Sequence, residues 1–238
     1  MKKMRNLFKL LFALSIIILC NACDSTEDGN LNPTPTSITA ENLNGFYIPY
    51  QDEAENGNQR FRVVYFVKEE DSMKAYLDGQ GLRRIAPLTI SDNKFVFDLN
   101  SDGTTVLNFN FSKNDAGKIA LTSLTKTGSS TTTVVHYEMF SPTETPSWGG
   151  FTFERSTGVS SFFKYYKFSG NKTLYANDVS PNTDPDMPCY ELGNGIGFKS
   201  NSEIIMGIFV PSWKGDANVK MLLSNKNIST VALYKYYN

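Results

Sequence analysis

The second half of this chain repeats the first, and the repeat limits the possible folds more than any other feature. Four segments of the first half return in the second, in the same order and at offsets of 97 to 105 residues. The pairs are residues 44–46 with 149–151, 61–66 with 163–168, 115–116 with 216–217, and 133–140 with 230–237. A repeated order at a nearly constant offset indicates a duplicated structural unit. We therefore expect two copies of one fold of about 100 residues each.

Each copy has the sequence pattern of short β-strands. In residues 104–112, Leu107, Phe109 and Phe111 alternate with two asparagines, and residues 94–99 show the same alternation. Side chains of a strand point to opposite faces in turn, so this pattern predicts strands with one apolar and one polar face. Helical periodicity is lacking from residue 43 onward. We therefore expect an all-β chain.

Short turn sequences separate the predicted strands at intervals of roughly 11 to 14 residues, as in a meander of hairpins. They include Asp78-Gly79, Ser91-Asp92-Asn93, Asp102-Gly103 and Ala116-Gly117. Pro87 has no N–H to donate, so residues 82–90 are expected to form an edge, bent or broken strand. Residues 141–147 have the composition of a linker. We therefore predict two antiparallel β domains, residues 38–145 (the first repeat) and 146–238 (the second repeat).

The first 22 residues have the composition of a signal peptide. Four basic residues precede an apolar run at residues 10–19, which only Ser15 interrupts. Ten residues of helix span about 15 Å, which is half of a hydrocarbon core of about 30 Å. Because the run is too short for a stable transmembrane helix, we expect residues 1–22 to be removed on export.

The end of this leader resembles a bacterial lipobox, in which a small residue precedes a cysteine that is acylated. Ala22 and Cys23 occupy those two places, while Cys20 stands where the family usually has Leu. The resemblance implies that Cys23 carries a lipid and becomes the mature N-terminus, with residues 23–37 as a flexible linker. Residues 24–30 are acidic and resemble the surface-export signal of lipoproteins in the Bacteroidetes group, although an ordinary solvated tether is the alternative. We therefore expect an exported protein whose N-terminal lipid anchors it to the bacterial outer membrane, facing the exterior.

Each repeat opens with a glycine and an aromatic residue, Gly45-Phe46 and Gly150-Phe151, and closes with a Tyr-rich strand. This pattern resembles the up-and-down barrels of the lipocalin and calycin type, particularly the lipocalin-like domains common in such lipoproteins. The opening Gly-x-Trp of that family is missing here, because Phe46 and Tyr47 follow Gly45. Two other folds stay open, a pair of β-sandwiches and a single pseudo-symmetric sheet in which residues 131–140 pair with the second repeat.

Charge and cysteine content exclude several classes of function. Removal of the leader leaves 19 basic and 24 acidic residues, a net charge of −5. Nucleic-acid binding needs a concentrated basic surface, so a nucleic acid is not an expected partner. Cys189 is the only thiol left once Cys23 is acylated and Cys20 is removed. The folded part therefore cannot form an internal disulfide, and Cys189 is expected to be a small buried apolar residue.

The chain offers little for nucleophilic or metal chemistry. Its only histidine is His136, so a catalytic triad has one possible base and a histidine metal cluster cannot form. The repeat aligns Val135 and Tyr137 with apolar residues of the last strand. That alignment places His136 beside Glu138 on the opposite face, where we expect it to point to solvent. We therefore predict no catalytic residue, no metal ligand and no cofactor.

One acidic cluster supports the alternative of a hydrolase. Asp184, Asp186 and Glu191 lie close together in a segment with two prolines. Two carboxylates about 5 to 9 Å apart can hydrolyse a glycoside, and oxygen ligands at alternating positions can hold Ca²⁺. An ordinary ordered loop is the interpretation that we favour, with a carboxylate-dependent glycoside hydrolase as the runner-up.

Aromatic residues are the remaining functional signal. The second repeat carries Trp148, Trp213 and an aromatic strand that includes Tyr166. Adjacent residues of a strand face opposite sides, so part of this aromatic surface is expected either to be exposed or to lie against the other repeat. Exposed rings could stack on a sugar or an apolar ligand, with Trp148, Trp213 and Tyr166 as the candidates. We therefore expect a lipoprotein that acts as a binding module for a glycan, a small apolar molecule or a protein.

Overall fold

The computed structural model describes residues 37–79, 81–157, 160–170, 173–178, 180 and 187–238. The predicted leader, the lipidated Cys23 and residues 24–36 lie outside the described residues, as do Asp184 and Asp186. The structure is all-β, with 56% strand and 3% helix. In the described part of the chain, no helix has the length and apolarity needed to cross a membrane.

The described residues of the first repeat form eight antiparallel strands in two sheets. The strands are β1 (Tyr47–Ala54), β2 (Gln59–Glu69), β3 (Ser72–Gly79), β4 (Leu82–Pro87), β5 (Lys94–Asp98), β6 (Thr105–Lys113), β7 (Ile119–Gly128) and β8 (Thr132–Tyr137). One sheet has the order β4-β3-β2-β1-β8 and the other has the order β5-β6-β7. Because β8 returns to pair with β1, the first and last strands of the meander are neighbours.

The described residues of the second repeat form a closed barrel. Its strands are β9 (Thr152–Thr157), β10 (Tyr165–Ser169), β11 (Thr173–Asn177), β12 (Met187–Leu192), β13 (Gly197–Ser200), β14 (Ile205–Phe209), β15 (Met221–Asn225) and β16 (Val231–Tyr236). Each strand pairs with the next along the chain, and β16 pairs with β9 to close the ring. Two short 3-10 helices, Glu41–Leu43 and Pro142–Glu144, lie before β1 and between the repeats.

Backbone hydrogen bonds at equivalent positions confirm the duplication. Phe66 N donates to Phe46 O (3.1 Å) and Phe140 N to Tyr47 O (2.9 Å), and in the second repeat Phe168 N donates to Phe151 O (3.0 Å) and Tyr237 N to Thr152 O (2.9 Å). In both copies these bonds connect the first strand to the second and to the last. The single-sheet alternative is wrong, because β8 pairs with β1 and β16 pairs with β9.

The repeated glycine has a conformational cause. Gly45 and Gly150 have φ values of +82° and +85°, a region that side chains of L-residues rarely adopt. At Gly45 space is also short, because a Cβ would lie 3.0 Å from two side-chain atoms of Pro142. The Gly-aromatic opening of each repeat is therefore a turn that delivers the chain into its first strand.

Several strand predictions are confirmed. In β6 the side chains of Leu107, Phe109 and Phe111 are buried in the interior of the first repeat, and the alternation that predicted the strand is the observed one. Pro87 ends β4, which is an edge strand of the five-stranded sheet. Proline is tolerated there because its missing N–H removes no ladder hydrogen bond.

The apolar residues form three clusters, of which one is shared by the two repeats. The first fills the interior of the first repeat and another fills the barrel of the second. The third, which we call the junction core, contains Phe61, Val63 and Tyr65 of β2 with Ile208 and Trp213 of the second repeat, among others. Residues Ser37–Asn238 accordingly form one compact unit.

The prediction that His136 points to solvent is wrong. Its ring lies edge-on against Trp213, with 4.6 Å between ring centroids, and its Nε2 is 2.8 Å from Glu138 Oε1. The register between β1 and β8 shifts at Gln51, so Val135 is left out of the pairing and is exposed. Tyr137 and Met139 still pack against the interior of the first repeat, so His136 lies on the opposite face as expected, but that face contacts Trp213 of the second repeat.

Candidate functional site

Trp148, Trp213 and Tyr166 do not form the exposed aromatic surface predicted for them. Their exposed fractions are 3%, 1% and 1%. The indole of Trp148 stacks on Phe209 inside the second barrel, with 4.8 Å between centroids, and its N–H donates to Gly195 O at 2.9 Å. The ring of Trp213 lies edge-on to Phe61 in the junction core. These side chains are core residues, so the prediction that they form an exposed stacking surface is wrong.

Tyr166 is fixed in the barrel in the same way. Its ring meets that of Tyr234 edge-on at 5.2 Å, and burial raises its pKa, so the phenol stays neutral. The exposed aromatic residues are others, namely Phe151, Phe163 and Tyr237. Within the described residues no ring contact joins any two of these, so they do not make a continuous platform.

The predicted acidic cluster lies only partly within the described chain. Glu191 is in β12, opposite Phe198 of β13, and is half-buried. Its two expected partners, Asp184 and Asp186, lie outside the described residues. In the part of the chain that is described, no group of three or more His, Cys, Asp or Glu side chains is placed to hold a metal ion.

A polar cleft at the boundary of the two repeats is the best candidate for a site. Its volume is about 360 Å³, within the range of small-molecule sites. One wall is the start of β2, with Asn58, Gln59, Arg60 and Arg62. The opposite wall is the turn between β15 and β16, residues 225–229. The two walls are held together by a backbone hydrogen bond from Gln59 N to Ser229 O at 2.9 Å.

Local sequence explains why each wall is polar. The hairpin between β1 and β2 turns at Gly57, which has a φ of +79°, and Asn58 N donates to Asn56 Oδ1 at 3.1 Å. In the turn between β15 and β16, Asn227 N donates to Asn225 Oδ1 at 2.9 Å. Short asparagine side chains stabilise such turns by bonding to nearby backbone N–H groups. Both walls therefore present amide side chains at the mouth of the cleft.

Behind Arg60 and Arg62, which line the cleft, lies a buried carboxylate that is approached by three cations. Asp52 has a side chain that is 0% exposed, and its two oxygens lie 3.5 Å from Arg60 Nε and 3.2 Å from Arg62 Nε. Lys126 Nζ is 3.9 Å from the same carboxylate and donates to Thr132 Oγ1. Three positive groups thus face one negative group, and this cluster of Asp52, Arg60, Arg62 and Lys126 is called the floor cluster below.

Burial and the charges of the floor cluster together shift the pKa values of Lys126 and Tyr50. Burial lowers the pKa of Lys126, and the nearby Arg62 and Arg60 lower it further against the opposing effect of Asp52. Burial also raises the pKa of Tyr50, while the charge of Arg62 lowers it. Cations confined in a partly desolvated space disfavour one another, and an added anion would relieve this repulsion.

The hydrogen bonding of the floor cluster is incomplete. Neither oxygen of Asp52 has a hydrogen-bond partner of acceptable geometry, and neither does Arg60 Nε. Buried polar groups in native proteins are usually satisfied, so the exceptions require an explanation. The other nearby carboxylate, Glu53, accepts a hydrogen bond from Gln59 Nε2 at 2.7 Å and is therefore engaged.

A second depression lies where β7 and β8 diverge. It is larger, about 660 Å³, and more open. Its apolar wall includes Phe46, Leu121 and Met139, which also pack against the interior of the first repeat. No ion cluster comparable to the floor cluster is described there, so the cleft between the repeats is the stronger candidate.

No protein-family model, curated protein or solved structure matches the chain. Sequence analysis missed the cleft between the repeats, although Asp52, Arg60 and Arg62 carry a readable signal. Arg60, Arg62, Val64 and Phe66 occupy every second position of one strand. The two arginines therefore share a face with buried apolar residues. Charged residues on the inner face of a strand mark a site that needs an explanation.

Proposed function

We propose that this protein is a lipid-anchored outer-membrane lipoprotein whose two lipocalin-like repeats form a glycan-binding module. The cleft between the repeats is the proposed binding site. The observation that carries the proposal is the convergence of amide and guanidinium side chains from the first repeat with a polar turn from the second. In this proposal the leader directs export, the lipid on Cys23 is the membrane anchor, and the module faces the cell exterior.

The chemistry of the lining favours a glycan over the other two ligand classes considered. An amide side chain both donates and accepts hydrogen bonds, and so does a sugar hydroxyl. Asn58 and Asn227 offer two such groups at one mouth, while the Nε2 of Gln59 already donates to Glu53. An apolar ligand would leave these groups without partners at a cost in free energy. A protein partner typically covers about 800 Å² of surface on each side, whereas the polar groups described here converge in one concave cleft.

The hydrolase alternative gains no support at this site. A general acid must reach the leaving oxygen of the substrate. Asp52 is fully buried beneath two arginines, and Glu53 is bonded to Gln59. Neither carboxylate is placed as an accessible proton donor, so the arrangement favours binding over cleavage.

A glycan array with the full chain in detergent tests the proposal. The double variant Asn58→Ala/Asn227→Ala should lower the affinity for any bound glycan by about tenfold or more, because two hydrogen-bonding groups are lost. The matched control is Asn108→Ala, since Asn108 lies on the polar face of β6 and bonds to Thr127 Oγ1. The proposal is wrong if no glycan binds, or if the double variant and the control bind alike.

A further inference from the structure

The floor cluster carries the proposed function one step further, because its charge is not balanced. Asp52 neutralises one of the three cations that surround it. We propose that the cleft selects acidic saccharides, and that Arg60 and Arg62 bind the anionic group, a carboxylate or a sulfate. This inference rests on the proposed glycan-binding function and names the class of glycan.

Asp52 acts as a positioning residue for the two arginines. It contacts each guanidinium through Nε, and each arginine uses a different oxygen of the carboxylate. A guanidinium has five N–H donors, so a contact through Nε leaves donors on the Nη atoms of the same plane. Arg60 and Arg62 both line the cleft, with side chains that are 44% and 14% exposed. Guanidinium groups held in this way match the flat carboxylate and the sulfate oxygens of a ligand.

The second repeat adds a cation to the opposite wall. Lys226 lines the cleft from the turn between β15 and β16. Its Nζ lies close to the backbone of the first repeat, since a Cβ on Gly81 would be 3.6 Å from it. Arg60, Arg62 and Lys226 are the charged residues that line the cleft, and no carboxylate is among the lining residues that the structure describes. Because the chain carries a net charge of −1 as a whole, this positive region is local. Such a region concentrates anionic ligands.

An acidic saccharide satisfies both sets of groups in the cleft. A neutral sugar would bond to the amides of Asn58 and Asn227 but leave the cationic excess uncompensated. A small inorganic anion would compensate the charge but leave the amides unused. A sugar that carries a carboxylate or a sulfate pairs hydroxyls with the amides and its charge with the arginines.

Calorimetry with the full chain in detergent tests this inference with matched ligands. The probes are trigalacturonate, its fully methyl-esterified form, a sulfated chondroitin disaccharide and the ions acetate and inorganic sulfate. We expect an acidic probe to bind about tenfold or more tightly than the neutral ester, because a charge-assisted hydrogen bond is lost with the charge. Binding should weaken as the salt concentration rises, because Arg60 and Lys226 are partly or fully exposed to solvent.

Two variants and one control assign the effect to the cleft. Arg60→Gln and Lys226→Gln should each weaken binding of the acidic probe. Lys226 lies in an exposed turn, so its replacement leaves the fold intact even if Arg60→Gln lowers stability. The control is Arg84→Gln, an exposed arginine of β4 that does not line the cleft. The unfolding midpoint of each variant is measured without ligand.

The outcomes separate this inference from the proposed function. Equal binding of trigalacturonate and its methyl ester would overturn the inference and leave glycan binding in place. Binding of acetate or sulfate as tight as that of the acidic saccharides would overturn both, since the sugar would contribute nothing. An unchanged affinity in Arg60→Gln and Lys226→Gln would also overturn the inference, because the anion would then bind elsewhere.

Discussion

A buried ion pair joins the two repeats, and breaking it should be costly. Lys199 of β13 places its Nζ 2.6 Å from Asp78 Oδ1 of β3, and the two side chains are 1% and 0% exposed. Lys199 also donates to Leu82 O at 3.0 Å. The other oxygen of Asp78 accepts a hydrogen bond from Tyr65 OH at 2.8 Å and lies 3.4 Å from Arg83 Nε. This pair therefore connects β3 of the first repeat to β13 of the second with both charges buried.

The burial of this pair determines how much Lys199→Met should lower the free energy of unfolding. Removing one partner of a buried pair typically costs about 3–5 kcal/mol, because the remaining charge stays buried without compensation. Arg83 is half-exposed and 3.4 Å away, so it compensates Asp78 only in part. We therefore expect the lower part of this range, about 3 kcal/mol. A domain with a total stability of about 5–15 kcal/mol would still fold, with a clearly lower midpoint.

Urea unfolding followed by tryptophan fluorescence measures the effect. The matched control is Lys74→Met, which breaks the Lys74–Glu69 pair at 2.7 Å, where both side chains are 38% exposed. Solvent screens the charges of exposed pairs, so the control should change the free energy of unfolding little. The double variant Asp78→Leu/Lys199→Met should recover most of the loss, since an apolar pair carries no buried charge. A loss below about 1 kcal/mol in Lys199→Met, or no recovery in the double variant, would refute the reasoning.

Three further predictions concern reactivity, anchoring and folding. Burial raises the pKa of Cys189 to about 11. Alkylation of this thiol near neutral pH, measured by mass spectrometry, should therefore be about a hundredfold slower in the folded protein than in urea. Equal rates would contradict the burial. Cys23→Ala should abolish incorporation of labelled fatty acid while Cys20→Ala retains it, and the reverse result would move the lipidation site. The separate halves, residues 38–145 and 146–238, should be poorly soluble alone, because each exposes its part of the junction core. When the two halves are mixed, they should recover one shared unfolding transition. Two independent transitions in the intact chain would contradict this.

The sequence predicts those parts of the fold that depend on local backbone constraints. The alternation around Phe109 predicts β6, since one face of that strand is apolar and the other is polar. Pro87 predicts an edge strand because proline cannot donate to a sheet ladder. The Gly-aromatic opening of each repeat is visible in the sequence, and its glycines, Gly45 and Gly150, both adopt a positive φ, which glycine does readily. Each of these signals acts over a few residues and needs no knowledge of distant partners.

The packing between the repeats could not be predicted in the same way. Strand β2 has Val64 and Phe66 on one face and Phe61, Val63 and Tyr65 on the other. Both faces are apolar, because one fills the first repeat and the other forms the junction core. Alternation then gives no sign of which face points outward. Aromatic residues that suggested an exposed surface, such as Trp213, are buried for the same reason.

The equivalence of the two repeats explains why the proposed site occurs in one copy only. Phe66 and Phe168 make the same backbone hydrogen bond to the aromatic residue that opens their repeat. Counting back along the chain, Arg60 then corresponds to Phe162, which is 1% exposed and packs in the core of the second barrel. The second copy thus has an aromatic ring at the position where the first copy has a cation. Since Lys226 comes from the second copy and Arg60 from the first, the cleft requires both repeats, and neither copy alone contains the groups that we propose to bind an acidic saccharide.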